Sequence, residues 1–415
     1  MIDERLSFIL LSIMTVFVIG LMVAKIYSPF WFHQPVYHIY EIYPRICWSR
    51  APYIKRPRPP KVGIFCIPYQ IKTVNQLNNN KLPLFVELLQ GHYLDNDTNL
   101  YHHTMNTITQ FMYNGSYISG FFETKLVEPT FHRSMNTDVV YGMITSRPVD
   151  IYFLHFAAQQ YRIHYFDFIC VHEKYKSKTI SRNLIQTHVY NHRLQDPSFT
   201  GVYMFKKEVQ LCHGIVPLIQ STAYTFMLKN TPLARLPVNY SIKCLNNKTS
   251  VDVWRVLYEQ IKVQYEVCIL PSFPITLEWL TNERYIIYIS VYKENRKEKI
   301  HGLYIFEDTY VSYEQDIPSP CMLRLAASMV FGKTHTHDVN HLYFFRGFLH
   351  SLRAVQLDKK KFGVLEIPNV SDNDILLDRW QERYELRNET FIGYYLYNMV
   401  YPNMPIHPSR FFCVT

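Results

Sequence analysis

Hydrophobic and polar positions alternate along much of this 415-residue chain, but its first apolar block does not alternate. Leu6 to Ala24, LSFILLSIMTVFVIGLMVA, carries no charge and is close to the ~20 residues a helix needs to cross a bilayer core. The pattern predicts a five-residue tail over 1–5 and a transmembrane helix over 6–26. A cleavable leader has a shorter apolar core and a basic start, and here Asp3 and Glu4 occupy that start. Only Arg5 precedes the helix, whereas Lys25, Arg45, Arg50, Lys55, Arg56, Arg58 and Lys61 follow it. The positive-inside rule then expects a single-pass membrane protein with its globular part in the cytosol. The same basic cluster is suited to resting on anionic lipid head groups.

Residues 27–61 hold seven prolines and little periodicity, which predicts an extended stalk ahead of a globular part starting near Val62. Beyond it, DVVYGMITS (138–146) and IYFLHFA (151–157) alternate as strands do, and SRNLIQTHVYNHR (181–193) has helical periodicity. A second cycle has ERYIIYISVY (283–292) and HGLYIFEDTYVSY (301–313) as strands, with CMLRLAASMVF (321–331) and NHLYFFRGFLHSLRAV (340–355) as helices. The expected class is mixed α+β, in two similar halves over 62–230 and 231–415.

Composition narrows the function. With 48% apolar and 19% charged residues, a disordered or fibrous chain is excluded. Thirteen glycines argue against glycine-rich nucleotide loops. The eight cysteines form no CxxC pair, so neither a zinc ribbon nor a redox dithiol is expected. His335-Thr336-His337 lacks a third ligand at useful spacing, and no metal site is predicted. The net charge of +9 is not organised in an aromatic-interleaved motif, so no nucleic-acid partner is expected.

The most informative stretch is Phe166 to Arg193. A strand FDFICV ends in a loop with His172, Lys174, Lys176 and Lys178, and a helix opens near Ser181. Backbone N–H groups at a helix start, flanked by lysines, suit a pyrophosphate without glycines. FICVH (Phe168 to His172) and KSKT (Lys176 to Thr179) resemble the FLCVH strand and RSKR-like loop of N-myristoyltransferases. Four more stretches resemble that family in the same order. They are Phe30, Trp31, Gln34, Pro35 and Val36 (its FWxxQPV), YLDNDTNLYHH (Tyr93 to His103), VYGMITSRP (Val140 to Pro148), and YYLYN (Tyr394 to Asn398) followed by Pro402.

The resemblance implies two fused GNAT-like halves, the first binding myristoyl-CoA and the second completing a peptide groove, with no prosthetic group. It implies an oxyanion hole from the backbone amides of Phe168 and Ile169, and a base formed by the carboxylate of the last residue, Thr415. It places CoA at Phe30, Trp31, Val171, His172, Lys174, Lys176, Ser177, Lys178, Thr179 and Ser181. The substrate, a protein or peptide with an N-terminal glycine, falls at Asp95, Asp97, Tyr101, His103, Tyr203, Tyr224 and Asn369. Some positions depart from the family. Its YTAG reads Tyr203, Met204, Phe205, Lys206, losing a hydroxyl and the glycine, and its RYWHR reads Ala223 to Met227. The Asn before the oxyanion strand is Asp167. A catalytically inactive scaffold holding acyl-CoA or a myristoylated partner is therefore a competing expectation. A lumenal glycosyltransferase is another, from the DxD at Asp95-Asn96-Asp97 and sequons at Asn96, Asn114, Asn239, Asn247, Asn369 and Asn388.

Overall fold

The apolar block at the start of the chain forms helix α1 (Glu4–Tyr27). Its Ser7–Tyr27 span has a mean hydropathy of 2.6 and none of it is buried. Among the described residues it is the one helix long and apolar enough to cross a membrane. The computed structural model describes residues 4–41, 51–57, 61–74, 82–93, 99–102, 104–113, 115–127, 135–156, 160–176, 178–208, 211, 214–228, 235–245, 250–281, 284–313, 320–332, 337–358 and 362–415.

Over its described residues, 28–41, 51–57 and 61, the proline-rich segment after α1 packs on the fold and is not an extended stalk. The Ser28 N–H donates to Ala24 O at 3.0 Å, and the chain turns into α2 (Pro29–His33). Phe30, Val36 and Tyr37 are fully buried. Val36 bridges Tyr397, and His38 bridges Ile215. Strand β1 (Tyr53–Ile54) pairs with Met399–Val400 near the other end of the chain. The prolines remove backbone donors, but the apolar residues between them still have surface to bury. Lys55 pairs with Glu41 and donates to Val36 O at 2.7 Å, while Arg56 donates to His33 O at 2.8 Å. Two cations of the basic flank are thus spent inside the fold.

The rest of the chain runs through one order of elements twice. First come β2 (Ile71–Val74), α3 (Leu82–His92), β3 (Asn99–Tyr101), α4 (Met105–Phe111), β4 (Tyr117–Val127), β5 (Met135–Phe153), β6 (Gln160–Val171), α5 (Lys178–Gln195), β7 (Tyr203–Glu208) and β8 (Ile219–Met227). Then come β9 (Tyr240–Cys244), α6 (Val251–Gln264), β10 (Val267–Leu270), α7 (Phe273–Glu278), β11 (Tyr285–Glu294), β12 (Lys297–Tyr313), β13 (Cys321–Val330), α8 (His337–Asp358), β14 (Phe362–Pro368) and β15 (Leu386–Tyr397), with α9 (Asn373–Gln381) before the last strand. Each half carries an antiparallel three-strand meander, a crossover helix and a parallel fourth strand, β6 with β7 and β13 with β14.

The halves interlock. Strand β8 pairs with β14, and β15 pairs with β7, with β8 and β15 adjacent. Strand β10 continues the sheet on the end of β5, and β3 does so on the end of β12. The sheet is therefore continuous, and the expected parting near residue 230 lies on a connection, 229–234, outside the described residues.

Two local expectations are corrected. CMLRLAASMVF is not a helix: Cys321–Val330 is strand β13, paired on both sides and almost wholly buried. A strand covered on both faces is apolar throughout, so its period of two is hidden. The crossover helix opens at Lys178 rather than at Ser181, which brings Lys178 into the first turn.

Candidate functional site

Strands β6 and β7 pair only over His164–Tyr203, Tyr165–Met204 and Phe166–Phe205. Beyond that point β6 follows β5 as far as Val171, and β7 follows β15 as far as Glu208. The two strands splay apart. On the opposite edge of β6, Ile144 faces Ile169 while Ser146 faces Phe166, which leaves Asp167 and Phe168 opposite Thr145 alone. This is a β-bulge, a device for re-aiming groups beside a site. The Phe168 N–H donates to Thr145 Oγ1 at 3.2 Å. Because the His172 N–H donates to Tyr141 O, the alternation of an antiparallel ladder turns the Ile169 N–H away from β5, toward the gap.

The gap opens into a cleft of ≈ 540 Å³ lined by both halves and by Thr415. The chain end is held there by β17 (Phe411–Cys413), a buried strand parallel to β10, and by the Val414 N–H donating to Ile269 O at 3.2 Å. Arg284 Nη2 and the Tyr285 hydroxyl donate to Thr415 O at 3.0 and 2.7 Å. Arg284 also pairs with Glu307 at 2.7 Å, Arg324 bridges Glu307 (3.3 Å) and Glu366 (2.5 Å), and Arg147 pairs with Asp167 (2.7 Å). Burial pushes the Glu307 and Glu366 carboxyls up, but the guanidiniums outweigh it and hold both below the ordinary value. The Lys206 side chain lines the same cleft without an ion pair to another described residue, although Glu366, Glu208 and Glu307 act on it from a distance. Burial, seconded by Arg324, pushes its ammonium below the ordinary lysine value.

No family model and no curated protein matches this chain in sequence. Solved structures match it in shape. Saccharomyces cerevisiae N-myristoyltransferase with bound myristoyl-CoA matches with a TM-score of 0.67 at 13% identity, over 92% of this chain and 90% of that chain. The yeast enzyme with myristoyl-CoA and inhibitors gives 0.66 at 13% identity, over 94% and 95%. A further myristoyl-CoA structure of it gives 0.64 at 14%, over 90% and 93%. The chain has the N-myristoyltransferase fold.

Within that fold, the structure brings together some of the residues expected from sequence. Phe168, Tyr101 and Thr415 share the cleft, with the Tyr101 and Phe168 rings 6.2 Å apart. Val171, His172, Lys174, Lys176, Thr179 and Ser181 gather where β6 passes into α5, and the His172 ring lies 4.0 Å from that of His92. Lys174, Lys176 and Thr179 are exposed. Asp95, Asp97, His103 and Ser177 lie outside the described residues. So does the DxD at 95–97.

Other expected residues are elsewhere. Tyr203 is fully buried, stacked on Phe166 with its hydroxyl 2.7 Å from His192 Nδ1. Met204 is buried in the core and does not line the cleft. Tyr224 packs on the second-half core, and its neighbour Thr225 lines the cleft in its place. Asn369 accepts from Ser221 Oγ at 2.9 Å through its backbone carbonyl, just past the cleft-lining Pro368. Phe30 is a core residue, whereas the half-buried Trp31 stacks on Phe205, which stacks on Tyr395. Beside α2 lies a second pocket of ≈ 660 Å³, with Gln34, Phe65, Val189 and Tyr190 in its wall and Arg56 and Lys61 at its edge. Among the described residues no group of three His, Cys, Asp or Glu is placed to hold a metal.

Sequence reading missed the charged cleft walls: Arg147, Arg284, Glu307, Arg324 and Glu366, with Lys206 noticed only as a lost glycine. Their signal is a single charge inside an otherwise apolar strand, as in CMLRLAASMV and FGVLEIP. Buried charges are rare unless paired, so these point at partners across the sheet.

Proposed function

We propose that this protein is an N-acyltransferase of the N-myristoyltransferase type, moving a myristoyl group from acyl-CoA to the N-terminal glycine amine of a protein or peptide. Helix α1 ties it to a membrane by a single pass, with the globular part in the cytosol. One observation carries this reading: a splayed, bulged strand pair and a carboxylate-bearing chain end meet in one cleft. The thioester carbonyl sits in the gap, where the Ile169 N–H stabilises the developing oxyanion, a contribution of ~2.7–4 kcal/mol for one well-aimed donor. Phe168 contributes through Thr145, which holds its N–H and fixes the bulge.

The attacking amine must first lose a proton. The Thr415 carboxylate takes it, held in position by Arg284 and Tyr285. The first turn of α5 and Lys174, Lys176 and Lys178 take the CoA phosphates. Trp31, rather than the buried Phe30, is available to the nucleotide. The apolar pocket beside α2 lies within the size range of small-molecule sites and suits a fatty acyl chain.

A second reading, a non-catalytic acyl-CoA-binding scaffold, is favoured by Met204, which brings no hydroxyl to the cleft. Incubating the detergent-solubilised full-length chain with myristoyl-CoA and glycine-initiated peptides, read by mass spectrometry, separates the two. Acylated peptide supports the enzyme; tight acyl-CoA binding without transfer supports the scaffold. Adding one residue after Thr415 should sharply reduce turnover, and an unchanged rate removes the carboxylate from the mechanism. Glycosidase-sensitive sugar on any of the six sequons would overturn the cytosolic placement.

A further inference from the structure

Three guanidiniums in the cleft wall are each matched by a carboxylate: Arg147 by Asp167, Arg284 by Glu307, and Arg324 by Glu307 and Glu366. Of the two lysines in the lining, Lys206 and Lys207, Lys206 is the less exposed. It is half-buried and lines the cleft, yet no carboxylate lies within ion-pair distance. Glu366, Glu208 and Glu307 stand near enough to favour its charged form, though none is in direct contact with it. Its position in the sheet suggests a different use. Lys206 is the first residue of β7 past the last β6–β7 pair, Phe166–Phe205. The Ile169 N–H lies three residues past Phe166 on β6. The two positions therefore differ by two residue rises, roughly 6.6 Å along the strands, with the sideways splay added, which places Lys206 at the near end of the gap that the splay opens.

We propose that Lys206 is itself an acyl acceptor, so that the protein acylates its own cleft from bound acyl-CoA. This rests on the acyl-CoA reading above but needs no external acceptor. A primary amine fixed beside the thioester reacts as an intramolecular nucleophile, which removes the entropic cost of bringing a second molecule into the site. Burial, with the neighbouring Arg324, outweighs the opposing pull of Glu366, Glu208 and Glu307 and favours its neutral, nucleophilic form. The lysine ammonium gives one proton to the Thr415 carboxylate and from there to solvent. The neutral Nζ attacks the thioester carbonyl, forming the C–N bond, and the oxyanion faces the Ile169 N–H. The C–S bond then breaks, and CoA leaves as the free thiol with the second proton. The product is an Nε-acyl-lysine amide. The cleft loses one positive charge and gains an acyl group where an incoming amine would otherwise sit, so a self-acylated molecule should be a poorer acyltransferase.

The test uses the full-length chain in detergent, incubated with myristoyl-CoA or, in a separate arm, acetyl-CoA, then digested and mapped by mass spectrometry. The expected result is one acyl group on Lys206, with the exposed Lys72 and Lys293 left free, and a rate that rises with pH. Lys206→Arg should abolish the modification while melting at the wild-type temperature. If acyl-CoA binds, or a peptide glycine is acylated, while Lys206 stays free, the inference is overturned and the acyltransferase reading stands. Modification spread equally over Lys72, Lys293 and other exposed lysines also overturns it, since that is solution chemistry. If acyl-CoA does not bind at all, both readings fall.

Discussion

Acidification should destabilise this protein well above the pH at which its carboxylates titrate, because three histidines are packed together without room for charge. His164, His188 and His192 are nearly or fully buried around Tyr117, Phe199 and Tyr203. The His188 ring is held between Ser119 Oγ (2.7 Å) and Ser146 Oγ (2.8 Å); Ser146 is 3.3 Å from His164 Nδ1, and His192 bonds the Tyr203 hydroxyl. Burial pushes His164 to about 3, His192 to about 2, and His188 well below its usual value. All three pKa values fall on folding, so between pH 6.5 and about 3 the unfolded chain binds more protons, and stability falls as pH falls. From pH ~7 to ~5.5 each histidine loses about 1.2 kcal/mol, or roughly 3.7 kcal/mol for the three. That is a large part of a total of about 5–15 kcal/mol.

Glu307 and Glu366 do not contribute in this interval. Their folded values lie below 4.5, so their share is lost only at lower pH. His301, pushed to about 4 by burial, adds a loss of the same sign from the second half. Urea unfolding of the detergent-solubilised chain at the two pH values measures the difference. His192→Phe keeps the stacking on Phe199, seen here at 4.4 Å, and removes one titrating ring. It should cut the pH-dependent loss by about 1.2 kcal/mol. Equal stability at both pH values, or an unchanged pH dependence in the variant, would refute the reasoning.

Two further outcomes follow from the cleft and its surroundings. Arg284→Met leaves Glu307 to Arg324 and Thr415 to Tyr285, and should cost ~3 kcal/mol in urea unfolding. Adding Glu307→Gln should recover part of that loss, and strictly additive costs would show that the charges are not coupled. Phe30→Ala should destabilise by ~3–5 kcal/mol with unchanged acyl-CoA affinity in the folded fraction. An affinity loss at wild-type stability would instead place Phe30 at the ligand.

What was legible in the sequence was local. The apolar run of α1 needs no partner to be recognised. The β6–loop–α5 unit keeps its strand, lysines and helix start within one contiguous stretch. The doubled order of the halves also showed, because β5, β11 and β12 alternate and both crossover helices carry helical periodicity. The packing of 29–41 did not, since Trp31 and Val36 find their partners more than 150 residues away, at Phe205 and at Tyr397. Strand β13 was misread because burial on both faces erased its alternation. Lys206 was read as a lost glycine, although it shares the strand phase of the buried Met204. Its place in the cleft depends on where β6 stops pairing with β7, which no local pattern encodes.

The interlocking of the halves explains how a chain terminus, ordinarily the least ordered part of a domain, can sit at a site that demands fixed geometry. The sheet runs β17, β10, β5, β6 without a break. Strand β17 takes its register from β10 at Val267–Phe411, Cys268–Phe412 and Ile269–Cys413, and β10 takes its own from the far end of β5. The same β5 fixes the bulge of β6 through Thr145. Thr415 and the Ile169 amide are therefore positioned by one continuous hydrogen-bonded ladder. The strand that closes it, β10, belongs to the second half. A first half expressed alone would keep the bulge but lack both β10 and the chain end, so the site requires both halves even though its splayed strands lie in only one.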